Sequence, residues 1–198
     1  MAKSNVREKL IEAGLENLHR CGFNGCGVQQ ITETAGVPKG SFYNHFESKE
    51  ALGAAVVEHY WRERAGSTLP ILAETGAPPV DRLRRYFAAM AAKMEKRGYA
   101  GGCLIGNLGA ELSDQSELVR DGLNVIFARW TEVIESCIRD GQRACEIRAD
   151  FDASVLASFL ISAWEGAILR AKVAKNGAPF DEFYEVVFQK LLLPPSTP

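Results

Sequence analysis

The sequence predicts an all-α protein, and three observations predict it. Apolar residues recur at spacings of three and four through nearly every long segment, the period of a helix with one face turned inward. No stretch alternates apolar and polar residues for a useful strand length. The breaks between periodic segments are rich in glycine and proline, as in "CGFNGCG" at 21–27 and "GSTLPILAETGAPP" at 66–79. With 46% apolar and 24% charged residues, the chain has the material for a core under an ordinary charged surface.

The elements follow in order. A first helix over 4–20 carries Val6, Leu10, Ile11, Gly14, Leu15 and Leu18 on one stripe, with Ser4 or Asn5 as its N-cap. "VQQITETAG" is a short helix that turns Val28, Ile31 and Ala35 inward. "GVP" is a tight connector, because the residue before a proline avoids the helical region. "KGSFYNHF" is another short helix, and Ser48 caps a longer one, "SKEALGAAVVEHYWRERA". Beyond the Gly/Pro break, helices fall in 80–98, 99–113, 114–142, 152–177 and 180–193. The tail "PPSTP" at 194–198 is expected to be disordered. The organisation read from this is a head over residues 1–50 and a larger helical body over 51–198, with 48–65 as the linking helix.

Bulk properties exclude more than they identify. The net charge of −2 gives no general attraction to nucleic acid, so any DNA contact must come from placement. No apolar run approaches 18 residues and the N-terminus has no signal-type apolar segment, so neither a membrane partner nor secretion is expected. Five cysteines, an odd number, do not form a disulfide framework, and a reducing cytoplasm is the natural location. There is no CxxC pair and no Cys/His cluster at zinc spacing, so no metal and no cofactor is expected.

The stretch "AGVPKGSFYNHFESKEAL" at 35–52 carries the first functional signal. Two short helices joined by a glycine-containing turn, after a longer helix, make a helix-turn-helix head whose second short helix enters the major groove of DNA. Phe42 and Phe46, four apart, face the small core. Ser41, Asn44 and His45 then lie on the other faces, where base edges and phosphates are in reach. Lys39 and Gly40 sit at the helix N-terminus, which favours a phosphate, and the Tyr43 phenol offers a phosphate contact from a rigid ring.

From Gly22 to Leu52 the sequence resembles the N-terminal DNA-binding region of the TetR family of bacterial transcriptional regulators. The resemblance rests on the pattern AGV-x-KG-x-FY-x-HF-x-SKE-x-L and on its offset from Gly22-Phe23. It implies a TetR-like fold: an N-terminal helix-turn-helix head, and a ligand-binding and dimerisation body in the remainder. It also places Lys49, in the SKE element, among the DNA contacts. One departure is Gly27, where many members have Thr or Ser as cap and phosphate contact. The contact then passes to backbone N–H groups or to Gln29 and Gln30.

"YAGGCLIGNLGAEL" carries the second signal. Cys103 opens a helix after two glycines, and the positive end of a helix favours the thiolate. The bland reading is a small buried hydrophobe, the usual state of a cysteine. "GGCLIGNLGAEL" with the later "LRAKVAK" resembles the electrophile- and oxidant-sensing branch of the family, which includes the N-ethylmaleimide reductase repressor. That resemblance implies Cys103 as sensor and Lys172 as its partner. The branch is also similar to regulators that respond to acrylate-type acids, so the effector need not react covalently.

The expected function is a homodimeric DNA-binding repressor of a near-palindromic operator in double-stranded DNA, released by an electrophile or oxidant at Cys103. The alternative is induction by a reversibly bound small molecule, such as an acrylate-like acid, with Cys103 only lining the pocket. Val155 and Phe159 on one helix, and Phe183 and Val187 on the last, are the expected dimer interface. An enzyme with Cys103 as nucleophile is the rival from another class. No histidine, aspartate or oxyanion-type motif accompanies that cysteine, so no enzyme is expected.

Overall fold

The computed structural model describes residues 5–195, and no strand occurs among them. The helices are α1 (Val6–Cys21), α2 (Val28–Thr34), α3 (Lys39–Tyr43), α4 (Lys49–Ser67), α5 (Leu69–Leu72), α6 (Pro79–Lys96), α7 (Leu104–Leu112), α8 (Glu117–Arg143), α9 (Ala153–Ala174) and α10 (Ala178–Val186). A π-helical turn, Val187–Leu191, follows α10. Of the two candidate caps for α1, Asn5 does the capping, its side chain accepting from the Arg7 amide at 3.2 Å; Ser4 lies outside the described residues. Pro194 and Pro195 are exposed and irregular, and 196–198 lie outside the described residues.

The chain divides into two compact units. The first joins the residues up to Glu63 with Cys103–Ile126, and the second joins Arg64–Gly102 with the residues from Phe127 onward. The expected head, 1–50, lies within the first unit, which also takes in most of α4, all of α7 and the start of α8. Here α1, α2 and α3 pack on one another around Leu10, Leu18, Ile31, Phe42 and Phe46, all buried. Asn17 is fully buried and bonds the Ala13 carbonyl at 2.8 Å and the Thr34 hydroxyl at 2.9 Å, a polar clip between α1 and α2. α3 is shorter than the sequence suggested. The amides of His45 and Phe46 both bond the Phe42 carbonyl, at 3.0 and 2.9 Å, which tightens the chain and ends the helix.

The second unit is built on aromatic packing. Phe87 meets Trp164 and Phe183 with ring centroids 5.0 and 4.9 Å apart, and Trp164 stacks on Phe180 at 4.9 Å. Arg82 is buried and donates to the Leu72 carbonyl and to Asp140, each at 2.9 Å. That bond anchors α5, a helix the sequence did not reveal within the Gly/Pro break. Pro70 is tolerated there because the first helical turn lacks intrahelical amide bonds anyway.

The end of the chain corrects one expectation. Phe183 and Val187, assigned to the dimer interface, are buried within the second unit, Phe183 against Phe87 and Trp164. Phe180, Phe183 and Val187, at spacings of three and four, form one regular helical face, and that face turns inward onto the aromatic core of this unit; the π-helical turn, whose Leu192 amide reaches the Val187 carbonyl at 2.9 Å, follows it. The exposed apolar residues of this segment are Val186 and Leu193.

Candidate functional site

The head presents a compact polar surface on α3 and the residues just after it. Phe42 is fully buried and Phe46 nearly so, and these two rings fix which way the helix faces. Lys39, Gly40, Asn44 and His45 are exposed and Ser41 is half-buried. Tyr43 is 59% exposed, its ring held edge-on against Phe42 at 5.2 Å. A rigid, exposed phenol beside an exposed lysine suits contacts to a phosphate backbone, and the Asn44 and His45 side chains suit base edges. On α2, Gln29 is exposed and bonds Glu33 at 3.0 Å, while Gln30 is half-buried. Gly27 precedes α2 as its N-cap without a side-chain bond, as its lack of a hydroxyl requires.

Lys49 departs from the expectation of a DNA contact. It is half-buried, and its ammonium donates to the carbonyls of Phe23 and Cys26, both at 2.8 Å, while lying 4.0 Å from the centre of the Phe23 ring. An ammonium with two carbonyls and an aromatic face is committed to holding the turn between α1 and α2. The same turn is held from α7, where the Glu111 carboxylate accepts from the amides of Phe23 at 3.1 Å and Asn24 at 2.9 Å. Neither residue's role was visible in the sequence, because the partners lie 23 to 88 positions apart.

Cys103 is the N-cap of α7 and 3% exposed. Gly101 and Gly102 before it have φ of 78° and 76°, a region that glycine enters without strain, and they turn the chain into the helix. Lys172 is half-buried in the last turn of α9. The two expected members of the sensing pair therefore fall in different units. Among the other cysteines, Cys21 and Cys145 are exposed. Burial pushes the Cys26 thiol up from its ordinary value, with Lys49 opposing, and pushes Cys137 up to about 11. Both are poor nucleophiles at neutral pH.

α9 offers an exposed seam. Val155, Phe159, Leu169 and Val173 are 55, 51, 61 and 77% exposed, and between them lie the exposed Ser162 and Gly166. The spacing of 4, 3, 4, 3 and 4 residues is that of two helices packed along a shared seam. α9 is also the one helix among the described residues long and apolar enough to cross a membrane. Its other face packs in the second unit through Leu156, Leu160, Trp164 and Ile168.

A three-helix head with an exposed second short helix, joined to a helical body, defines a helix-turn-helix DNA-binding regulator. Residues 10–56 match the family model described as bacterial regulatory proteins, tetR family, and residues 79–187 match the tetracyclin repressor-like C-terminal domain. The chain is 45% identical over 197 residues to the HTH-type transcriptional repressor DhaR of Mycobacterium sp. (strain GP1), covering all of this chain and 96% of that one. It is 35% identical over 180 residues to the transcriptional regulator AcuR of Cereibacter sphaeroides, covering 91% and 82%. Two solved structures superimpose with TM-scores of 0.87. They are a regulatory protein TetR from Rhodobacter sphaeroides, 34% identical with 93% and 97% coverage, and the reduced form of E. coli NemR, 28% identical with 97% and 99% coverage. The chain belongs to the TetR family and is a DNA-binding repressor, a transcription factor and not an enzyme. Its relatives span several branches, and no single branch is singled out.

Proposed function

We propose that this chain is a homodimeric cytoplasmic repressor that leaves a near-palindromic operator when an electrophile or oxidant modifies Cys103. The observation that carries the reading is the position of Cys103 as N-cap of α7, behind two left-handed glycines, at a helix end that favours a thiolate. Addition to an activated alkene forms one S–C bond, and the alkene's electron pair takes up a proton. The added group must be accommodated in a packed interior, which shifts neighbouring elements as units. α4 carries the response toward the head, and Lys172 is the partner that the family resemblance implies. One solved relative, E. coli NemR, is a reduced form, and this is in keeping with the reading.

Dimerisation rests on the α9 seam, whose Val155, Phe159, Leu169 and Val173 are exposed. Lys39, Ser41 and Tyr43 are the phosphate contacts, with Gln29 and Gln30 beside them; Asn44 and His45 read bases. Gly40 lets the DNA backbone approach.

A second reading has one observation in its favour, the near-complete burial of Cys103. In it the cysteine lines a pocket for a reversibly bound acid of acrylate type. A gel shift on the DNA upstream of the protein's own gene, with N-ethylmaleimide or acrylate added and intact mass recorded in parallel, separates the two. Release accompanied by one added maleimide at Cys103 supports the covalent reading. Release by acrylate with unchanged mass, and none by N-ethylmaleimide, replaces it with the reversible one.

A further inference from the structure

We propose that Glu111 is the residue through which α7 governs the DNA-binding head, a positioning residue for DNA recognition distinct from those that touch DNA. The proposal deepens the sensor reading and rests on it for the stimulus, though not for the contact itself.

The turn between α1 and α2 is gripped from two sides. Its backbone groups are held by two side chains of opposite charge, each matched to groups of the right polarity. The Glu111 carboxylate takes the Phe23 and Asn24 amides, and the Lys49 ammonium takes the Phe23 and Cys26 carbonyls. Charge-assisted bonds of this kind are about twice as strong as neutral ones. They add to the burial of Phe23 and Cys26 in the turn, where Gly27 gives α2 no side-chain cap. Gly22 is part of the same arrangement. Its φ is +76°, and a Cβ there would lie 2.6 Å from a Glu111 oxygen, so the carboxylate reaches the amides only because this residue has no side chain.

Glu111 also lies at the far end of the helix that Cys103 begins. The eight steps from Cys103 to Glu111 span about 12 Å of helix. Leu104, Ile105, Leu108 and Leu112 bury one face of α7 completely or nearly so, and a seated helix of this length shifts as a rigid piece. A displacement at its N-cap therefore reaches the Glu111 carboxylate, and through it the turn that leads into α2 and α3. Cys103, Glu111, the turn and Lys49 all lie in the first unit.

The test uses the full-length chain and an operator duplex recovered by in vitro selection with the wild-type protein. Glu111→Gln keeps the shape but removes the charge and sets an NH₂ against a backbone N–H. It should bind the operator about tenfold more weakly with unchanged sequence preference. With Cys21→Ser and Cys145→Ser in every protein compared, so that the exposed thiols take up no reagent, N-ethylmaleimide should add to Cys103 of Glu111→Gln as fast as to that of the chain with Glu111 by intact mass, yet change its operator affinity at least tenfold less. Gly22→Ala, which presses a methyl on the same carboxylate, should weaken binding likewise, and amide exchange at Phe23 and Asn24 should accelerate in both variants. If Glu111→Gln binds and releases like wild type, the proposal is overturned. It is equally overturned if Gly22→Ala speeds those amides but binds normally, and that variant decides the matter should Glu111→Gln not fold. A wild-type protein labelled at Cys103 that keeps its affinity defeats the sensor reading alone; Glu111 is then judged on operator affinity, where a loss supports the proposal and no change overturns it.

Discussion

Replacing Phe159 by alanine should raise the dimer dissociation constant by about a hundredfold. Phe159 sits in the middle of the α9 seam and leaves 51% of its surface exposed in the single chain. A phenylalanine exposes roughly 200 Å² when free, so about 100 Å² per copy is available for burial. At about 25 cal/mol per Å² that is about 2.5 kcal/mol per copy and about 5 kcal/mol for a symmetric pair. Alanine retains part of the contact, so a loss of about 3 kcal/mol is the working figure, equivalent to about a hundredfold in dissociation constant. Because the substituted side chain faces outward, the thermal midpoint of the second unit's aromatic core should barely move at high protein concentration. The assay is sedimentation equilibrium over a wide concentration range, with operator binding in parallel. A Phe159→Ala protein that dimerises as tightly as wild type would refute the assignment of α9 as the interface.

Lys39→Ala and Tyr43→Phe should each weaken binding about equally on matched and mismatched operators, whereas Asn44→Ala and His45→Ala should relax preference at one or two base pairs by about 1–3 kcal/mol each; competition binding against single-base operator variants checks both. Arg82→Ala should lower stability by about 1–2 kcal/mol in urea unfolding, because it releases the Leu72 carbonyl that tethers α5 and leaves Asp140 with Arg143 alone. Burial pushes the pKa of the Cys137 thiol up from its ordinary value near 9 to about 11. The folded protein therefore holds that proton longer than the unfolded chain, so stability is intact below about pH 9 and falls as pH rises through about 11. Thermal midpoints between pH 8 and 11 should show that fall, and Cys137→Ala should reduce it.

The head was legible because its signals are local. Phe42 and Phe46 are four apart, and both are buried. The side chains expected on the outside of α3 are exposed or, for Ser41, half-buried. What escaped the sequence depends on partners distant in the chain. Lys49 looked like another basic residue near the head until two carbonyls more than 20 positions earlier claimed it. Arg82 and Asp140 are 58 positions apart. Phe183 and Val187 fell on a regular apolar stripe, and periodicity alone does not say whether such a stripe packs on its own chain or on a second copy; here it packs on Phe87 and Trp164. On α9, Val155 and Phe159 are exposed.

The most direct test of the central claim follows operator release by fluorescence anisotropy during a titration with N-ethylmaleimide. It should compare Cys103→Ser with the parent protein, both carrying Cys21→Ser and Cys145→Ser so that the exposed thiols do not consume reagent. The account predicts that the parent leaves the operator as one maleimide adds per chain, while Cys103→Ser binds with parental affinity and stays bound at every reagent concentration. Release of Cys103→Ser along the same curve as the parent would contradict it.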